Sequence, residues 1–305
     1  MDPSSLKELF LSGLRHFFCF LKEYNIMKRI SLILLPFIIL FNNSCKSTKE
    51  DFPSNKYQHI ETKYTEIKQI LSEEVDDTFY VYIRLPKNYN ESNKRYPVLY
   101  LLDGDISFNM ATSVVRYLQF DKSVPDLIIV APAYGTMMND DEQNYRERDY
   151  TFSKFKEIEN SGGGYNYSNF LENELIPTID SSYRTNSSRI LNGYSLGGLF
   201  TLNTLIESAN KFQYFIAGSP YLVSDIKRLT DQVENITLSQ DVKKVFITVG
   251  ELEDKRTYHT PIQNLTKQLE KIDGLELKFV EFKNGTHFTC PSEALTYGLK
   301  YIFEN

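Results

Sequence analysis

RILNGYSLGGLF, running from Arg189 to Phe200, decides the fold. A short apolar run leads into Gly193-Tyr194-Ser195-Leu196-Gly197, and an apolar-periodic segment begins near Leu199. Gly-x-Ser-x-Gly between a strand and a helix is the pattern of a nucleophile elbow, a sharp turn that holds the serine in a strained conformation at the carboxyl edge of a sheet. Gly193 and Gly197 are expected there because a side chain at either would collide with closely packed backbone. The following helix starts at once, so the Leu196 amide is aimed at the place where a negative oxygen would form.

Outward from the elbow, the chain alternates strand and helix signals. Tyr96 to Leu102 is a continuous apolar run, as in a strand buried on both faces. Asp103-Gly104-Asp105 turns the chain, Phe108 to Phe120 reads as a helix, and Asp126 to Ala131 is the next buried strand. Thr78 to Leu85 is an earlier β run, closed by Pro86 and Asn88. This rhythm implies a parallel α/β sheet. Asn139 to Ser153 reads as a loop whose alternating charges, Arg146 to Asp149, brace it through ion pairs; Arg148 is also a candidate substrate contact. Ser161 to Gly164 reads as a mobile hinge or loop. A helix over Ser168 to Tyr183 places Leu171, Leu175 and Ile179 on one face, with Pro177 bending or breaking it. After the elbow come strands at Tyr214 to Ala217, Lys244 to Val249 and Leu277 to Phe282, and helices at Tyr258 to Ile272 and from Pro291 to Phe303.

A serine hydroxyl attacks only when a base takes its proton, and that base needs a third group to orient it and balance its charge. In an elbow fold the order along the chain is serine, acid, histidine, with the last two on loops after late strands. His287 follows the last strand on a Gly-containing loop. Of the other three histidines, His16 and His59 precede the folded body, and His259 reads as a solvated residue at a helix start. Glu251, Glu253 and Asp254 share the loop after Val249; Glu253 is preferred, three residues after Gly250, with the other two as alternatives. The second oxyanion amide is expected from the loop after the Tyr96 to Leu102 strand, at Asp105, whose side chain could be merely solvated. Cys290 reads as a small packed or capping residue.

Net charge is −6 over 305 residues, with no basic cluster in the body, so composition gives no support for nucleic-acid binding. Three cysteines, Cys19, Cys45 and Cys290, provide no disulfide framework and no zinc pattern. Met27-Lys28-Arg29 precedes an apolar run from Ile30 to Phe41, shorter than the ~20 residues of a membrane span, and reads as a secretory signal. Cys45 stands where a bacterial lipoprotein is cut and acylated, although Asn42 departs from the usual aliphatic residue three positions earlier. The expected organisation is a targeting segment over 1–45 (signal peptide 27–44, synthesis starting at Met27), a polar tether over 46–60 and one catalytic domain over 61–305. The expected location is outside the cytoplasm, in a bacterial periplasm or at the cell surface.

YPVLYLLDGD (96–105), RERDYT (146–151), GGGYNYSNFLENELIPTIDSSYRT (162–185), GYSLGGLF (193–200), AGSP (217–220), GELED (250–254) and GTH (285–287) together resemble the Putative esterase branch of the α/β-hydrolases. Within that branch the chain is similar to the siderophore (enterobactin and bacillibactin) esterase-like hydrolases. The resemblance implies an α/β-hydrolase fold with a mostly parallel central sheet and helices on both faces. It also implies a Ser195, Glu253, His287 triad, the Leu196 and Asp105 amides as oxyanion hole, and no metal or organic cofactor. Tyr194 stands where the family often has His, and is a candidate substrate-proximal residue with Arg148. Tyr221-Leu222-Val223 replaces a Ser-Leu-Trp-Trp type continuation, which removes indole surface near the expected cleft, so a siderophore substrate is not carried over. The expected activity is that of a serine esterase on a small-molecule ester. Alternatives are an acyltransferase using the same residues and a non-catalytic surface binding lipoprotein. The expected partners include no nucleic acid and no protein, and a membrane only through a lipid on Cys45.

Overall fold

The computed structural model describes residues 62–135, 145–155, 158–207, 211–234 and 242–304. The chain divides into two units, 1–60 and 61–305; the targeting segment, Cys45 and the tether lie outside the described residues.

Eight strands form one sheet in the order β1-β2-β4-β3-β5-β6-β7-β8. They are β1 (Thr65–Ser72), β2 (Asp77–Arg84), β3 (Tyr96–Leu101), β4 (Ile128–Ala133), β5 (Thr185–Tyr194), β6 (Tyr214–Gly218), β7 (Lys244–Gly250) and β8 (Glu276–Phe282). β1 pairs with β2 and β2 with β4 antiparallel; every other pairing is parallel. The strand order reverses at β3, which lies between β4 and β5, and this is where an open α/β sheet offers a crevice beyond its carboxyl ends.

Side-chain alternation along β3 divides the core in two. Val98, Tyr100 and Leu102 face one layer, with Leu175 and Ile179, Leu199 and Leu202, Leu229, and Ile262 and Leu265 from the helical segments of that side. Leu99 and Leu101 face the other, with Phe108, Ala111 and Val115 of α1 (Gly104–Phe120) and Leu295 and Leu299 of the last helix. All six residues of β3 are buried, as its unbroken apolar run requires.

Several elements differ from the sequence reading. α1 begins at Gly104, not Phe108. The Asn139 to Ser153 loop contains a short helix, α2 (Arg146–Tyr150). Its charges do form ion pairs: Arg146 with Asp103 at 2.7 Å, and Arg148 with Asp77 and Asp149, each at 2.7 Å. Residues 161–163 are loop, as read, and the amides of Gly162, Gly163 and Gly164 donate to Thr151 Oγ1, Arg148 O and Thr151 O at 2.8, 2.8 and 2.9 Å. The next helical stretch joins α3 (Gly164–Asn169) to α4 (Ile176–Ser182) through a π-helical turn at Phe170–Leu175. Pro177 has no N–H to donate and its ring crowds the preceding turn, so the break expected at Pro177 appears as that widened turn. α5 (Leu196–Glu207) follows the elbow, and α6 (Ile226–Val233), to which the sequence reading assigned no element, lies between β6 and β7. A π-helical turn at Lys255–His259 leads into α7 (Thr260–Leu269), and α8 (Pro291–Phe303) closes the chain as read.

Candidate active site

Ser195 sits between β5 and α5 with φ of 58°, a conformation most side chains avoid. Three backbone hydrogen bonds hold it there. Its amide donates to Gly218 O at 2.9 Å, and its carbonyl accepts from Leu199 N at 2.9 Å and Tyr221 N at 3.0 Å. Gly193 is obligatory, since a Cβ there would stand 2.1 Å from Gly197 O. Gly197 is less constrained than expected: its nearest would-be neighbour is Asp103 Oδ2 at 3.2 Å. The second tight glycine is Gly198, where a Cβ would approach Gly218 O to 2.8 Å.

Parallel pairing of β3 with β5 sets Leu101 beside Asn192, so Asp103 to Asp105 emerges next to Tyr194 to Leu196. Asp103 adopts φ of 57° at the start of α1. Its carboxylate accepts two bonds from Arg146, at 2.7 Å from Nε and 3.1 Å from Nη2, and its amide donates to the Tyr150 hydroxyl at 3.1 Å. Burial alone would lower the Arg146 pKa, but Asp103 outweighs it and keeps the guanidinium charged. The Asp105 carboxylate is not merely solvated. It accepts from Tyr134 N at 2.7 Å, Gly135 N at 3.1 Å and the Tyr82 hydroxyl at 2.9 Å. Among the described residues, neither the Asp105 nor the Leu196 amide has a hydrogen-bond acceptor, as befits first-turn helix amides.

The loops after β7 and β8 are zipped together: Glu251 N donates to Phe282 O at 2.9 Å and Leu252 N to Gly285 O at 2.8 Å. The three acids separate clearly on this frame. Glu251 accepts from Asn284 N, and Asp254 caps the next turn through Arg256 N and Thr257 N. Glu253 turns inward and is buried, with Oε1 accepting from Ser219 Oγ at 2.7 Å and Gly250 N at 3.2 Å. Its Oε2 faces His287 Nδ1 at 3.5 Å, and neither atom has a hydrogen-bond partner beyond that contact among the described residues. Burial would raise the Glu253 pKa, but the contact with His287 and the hydrogen bond from Ser219 hold it below the ordinary carboxylate range.

Tyr194, directly before Ser195, lies 5.2 Å from the His287 ring, centroid to centroid. Tyr258 lies 4.7 Å from the same ring, and Ser195 is among the side chains that act on its hydroxyl. Ser195, Glu253 and His287 therefore share one small volume at the carboxyl edge. Arg148 does not reach it; its guanidinium is taken up by Asp77 and Asp149 and lies over the Tyr145 ring. Tyr194 does, but its hydroxyl points into the protein, to Ser219 Oγ at 3.0 Å. His259 is buried rather than solvated, with Nδ1 3.2 Å from Glu281 Oε2. Cys290 is fully buried, and burial pushes its thiol pKa up, which suits packing and not nucleophilic chemistry.

Sequence reasoning missed Ser219, Tyr258 and an exposed apolar rim. Ile106, Val223, Leu252 and Phe288 each follow the carboxyl end of a strand and are exposed, Phe288 at 91%. Phe288 is signalled by adjacency to His287; Tyr258 has no sequence signal, being placed only by the turn that precedes α7. Among the described residues, no group of three or more His, Cys, Asp or Glu side chains is arranged to hold a metal ion.

Residues 72–287 match the family model described as "Putative esterase". The chain is 28% identical over 258 residues to the ferri-bacillibactin esterase BesA of Bacillus subtilis (strain 168), covering 78% of this chain and 89% of that protein. Among solved structures, the BES protein from Bacillus cereus superposes with a TM-score of 0.72 at 28% identity, over 81% of this chain and 97% of that one. An IroE-like serine hydrolase from Shewanella oneidensis gives 0.70 at 24% identity, over 79% and 80%, a likeness of fold.

Proposed function

The chain belongs to the Putative esterase family and is a carboxylic ester hydrolase, and from that premise we propose that it works through Ser195, His287 and Glu253 by way of an acyl-enzyme. His287 Nδ1 is turned to Glu253, which leaves Nε2 as the atom that takes the proton from Ser195 as its oxygen attacks the ester carbonyl. Glu253 holds the imidazole in the useful tautomer and balances the imidazolium. The Leu196 and Asp105 amides, neither with an acceptor among the described residues, receive the oxyanion. His287 then protonates the departing alkoxide, and water repeats the sequence on the acyl-Ser195.

The observation that carries this reading is the buried Glu253 Oε2, which faces His287 Nδ1 at 3.5 Å and has no hydrogen-bond partner among the described residues. A long contact of this kind in a ligand-free site is compatible with tightening on substrate binding. Hydrolysis of a short p-nitrophenyl ester tests it. Ser195→Ala is expected to lower turnover by about 10⁴-fold or more, and turnover within tenfold of wild type would refute the assignment.

For substrate we propose a siderophore ester, supported by the relative named for ferri-bacillibactin at 28% identity over most of both chains. The rings of Tyr258 and Phe288 beside His287, 4.7 and 5.4 Å away, offer aromatic surface despite the missing Trp-Trp continuation. A preference of kcat/KM for triscatecholate esters over acetylated or feruloylated sugars is the expected result. We also propose export and acylation at Cys45, supported by the segment from Met27 to Cys45. Incorporation of labelled palmitate that disappears in Cys45→Ser checks it.

A further inference from the structure

Ser219 is buried, uncharged and held at φ of 36°, an unfavourable backbone conformation for any residue with a Cβ. Glycine would occupy that position without strain, and Gly218 immediately precedes it. What serine adds is a hydroxyl with two partners. It receives a hydrogen bond from the Tyr194 hydroxyl at 3.0 Å and donates one to Glu253 Oε1 at 2.7 Å. The Tyr194 hydroxyl is also 3.5 Å from Glu253 Oε1. Space for the Tyr194 ring exists because residue 218 is glycine; a Cβ there would come within 2.5 Å of the ring. Strand pairing explains the meeting, since β5 and β6 set Tyr194 beside Gly218 and the chain then turns Ser219 under Glu253.

We propose that Tyr194 and Ser219 form a buried hydroxyl relay that positions Glu253, occupying Oε1 so that Oε2 alone is presented to His287. The proposal rests on Glu253 being the triad acid. Both are positioning residues, acting on the reaction through the carboxylate. In this chain the tyrosine before the nucleophile is thus turned inward to the acid, and not outward to substrate.

The relay gives the carboxylate two anchored donors on one oxygen, Ser219 Oγ and Gly250 N. Loss of the Ser219 hydroxyl leaves its charge less compensated, so the Glu253 and His287 pair holds a proton more tightly and the acid limb of activity moves to higher pH. Among the described residues, the other titratable groups facing the pair are Tyr194, Tyr258 and Cys290. Burial raises the pKa of all three, so they stay neutral across that limb.

The experiment compares kcat, KM and the pH profile on a p-nitrophenyl ester for wild type, Ser195→Ala, Ser219→Ala, Ser219→Gly, Tyr194→Phe and the double variant Tyr194→Phe/Ser219→Ala. Both Ser219 variants are expected to lower kcat about ten- to a hundredfold with KM little changed, and to shift the acid limb upward. Ser219→Gly relieves the backbone and should melt no lower than Ser219→Ala, so loss of activity in it cannot be ascribed to misfolding. Tyr194→Phe keeps the ring and is expected to lower kcat less, about three- to tenfold, with an effect that does not multiply with that of Ser219→Ala. Wild-type kcat and acid limb in the Ser219 variants, with Ser195→Ala inactive, would overturn the relay and leave the triad standing. A lower kcat with an unmoved acid limb would equally reduce Ser219 to a packing residue. An active Ser195→Ala would remove the esterase assignment itself.

Discussion

At Glu253, burial and hydrogen bonding pull in opposite directions, and the bonds win, holding the carboxyl below its ordinary range. A depressed folded-state pKa contributes stability above the unfolded value of about 4.3 and loses it as pH falls through the lower, folded value. The melting-temperature difference between wild type and Glu253→Gln is therefore expected to be larger at pH 7 than at pH 3, as followed by thermal unfolding. Asp103 carries a different risk. Its carboxylate is buried beside Gly197 and balanced by two bonds from Arg146. Arg146→Ala strands that charge, and a buried pair broken from one side costs about 3–5 kcal/mol; chemical denaturation reads the loss, and Arg146→Lys is expected to recover only part of it because ammonium cannot reproduce the paired geometry. Of the proposed catalytic residues, Ser195 and His287 were legible because each sits in a local pattern that such chemistry needs. Glu253 was separable from Glu251 and Asp254 only by which way a turn points, and Ser219 was visible as part of AGSP but not as a partner. Its neighbours lie 25 residues before it and 34 after it, beyond any local signal.

Strands were legible where they are buried on both faces. β3 and the strand core of β5 read directly from apolar runs, and α8 from Pro291 at its first position. α1 was read four residues late because its first turn, Gly104 to Ser107, lacks apolar periodicity; that turn lies at the candidate site and carries the Asp105 amide. α2 was read as loop because five residues with four charges show no apolar stripe, and ion pairs, not core contacts, fix its place. The elbow itself offers a graded test. Gly193→Ala forces a Cβ to 2.1 Å from Gly197 O, and is expected to cost at or beyond the ~1–3 kcal/mol usual for overpacking, with soluble yield and melting temperature falling together. Gly197→Ala meets Asp103 Oδ2 at 3.2 Å and Leu102 at ordinary contact distances of 3.5 and 3.6 Å, and gains about 1 kcal/mol of helix propensity in the first turn of α5. Its stability is expected to stay near wild type, which reverses the equal roles that the Gly-x-Ser-x-Gly pattern suggests.

Over the whole molecule, the parallel α/β architecture follows from the alternation of strands and helices, but the order of strands does not. Nothing in the periodicity of β1 and β2 tells that both pairings made by β2 run antiparallel, or that β3 separates β4 from β5. That reversal sets the chain after β3, with the Asp105 amide, beside the chain after β5, with the Leu196 amide, so the proposed oxyanion site belongs to the topology more than to any segment. Both layers of the core are built from residues between Phe79 and Ile302, and the eight strands begin at Thr65. Among the described residues no helix is long and apolar enough to cross a membrane. Folding and chemistry should therefore be separable from the segment before Glu61. A polypeptide spanning Glu61 to Asn305 is expected to unfold in one cooperative transition and to hydrolyse a p-nitrophenyl ester with kcat/KM within about twofold of the longer chain. In a bacterial host, Cys45→Ser is expected to move the protein from the membrane fraction without changing its specific activity. A truncated chain that folds but loses kcat would mean that residues before Glu61 complete the site, which no contact of Ser195, Glu253 or His287 among the described residues requires.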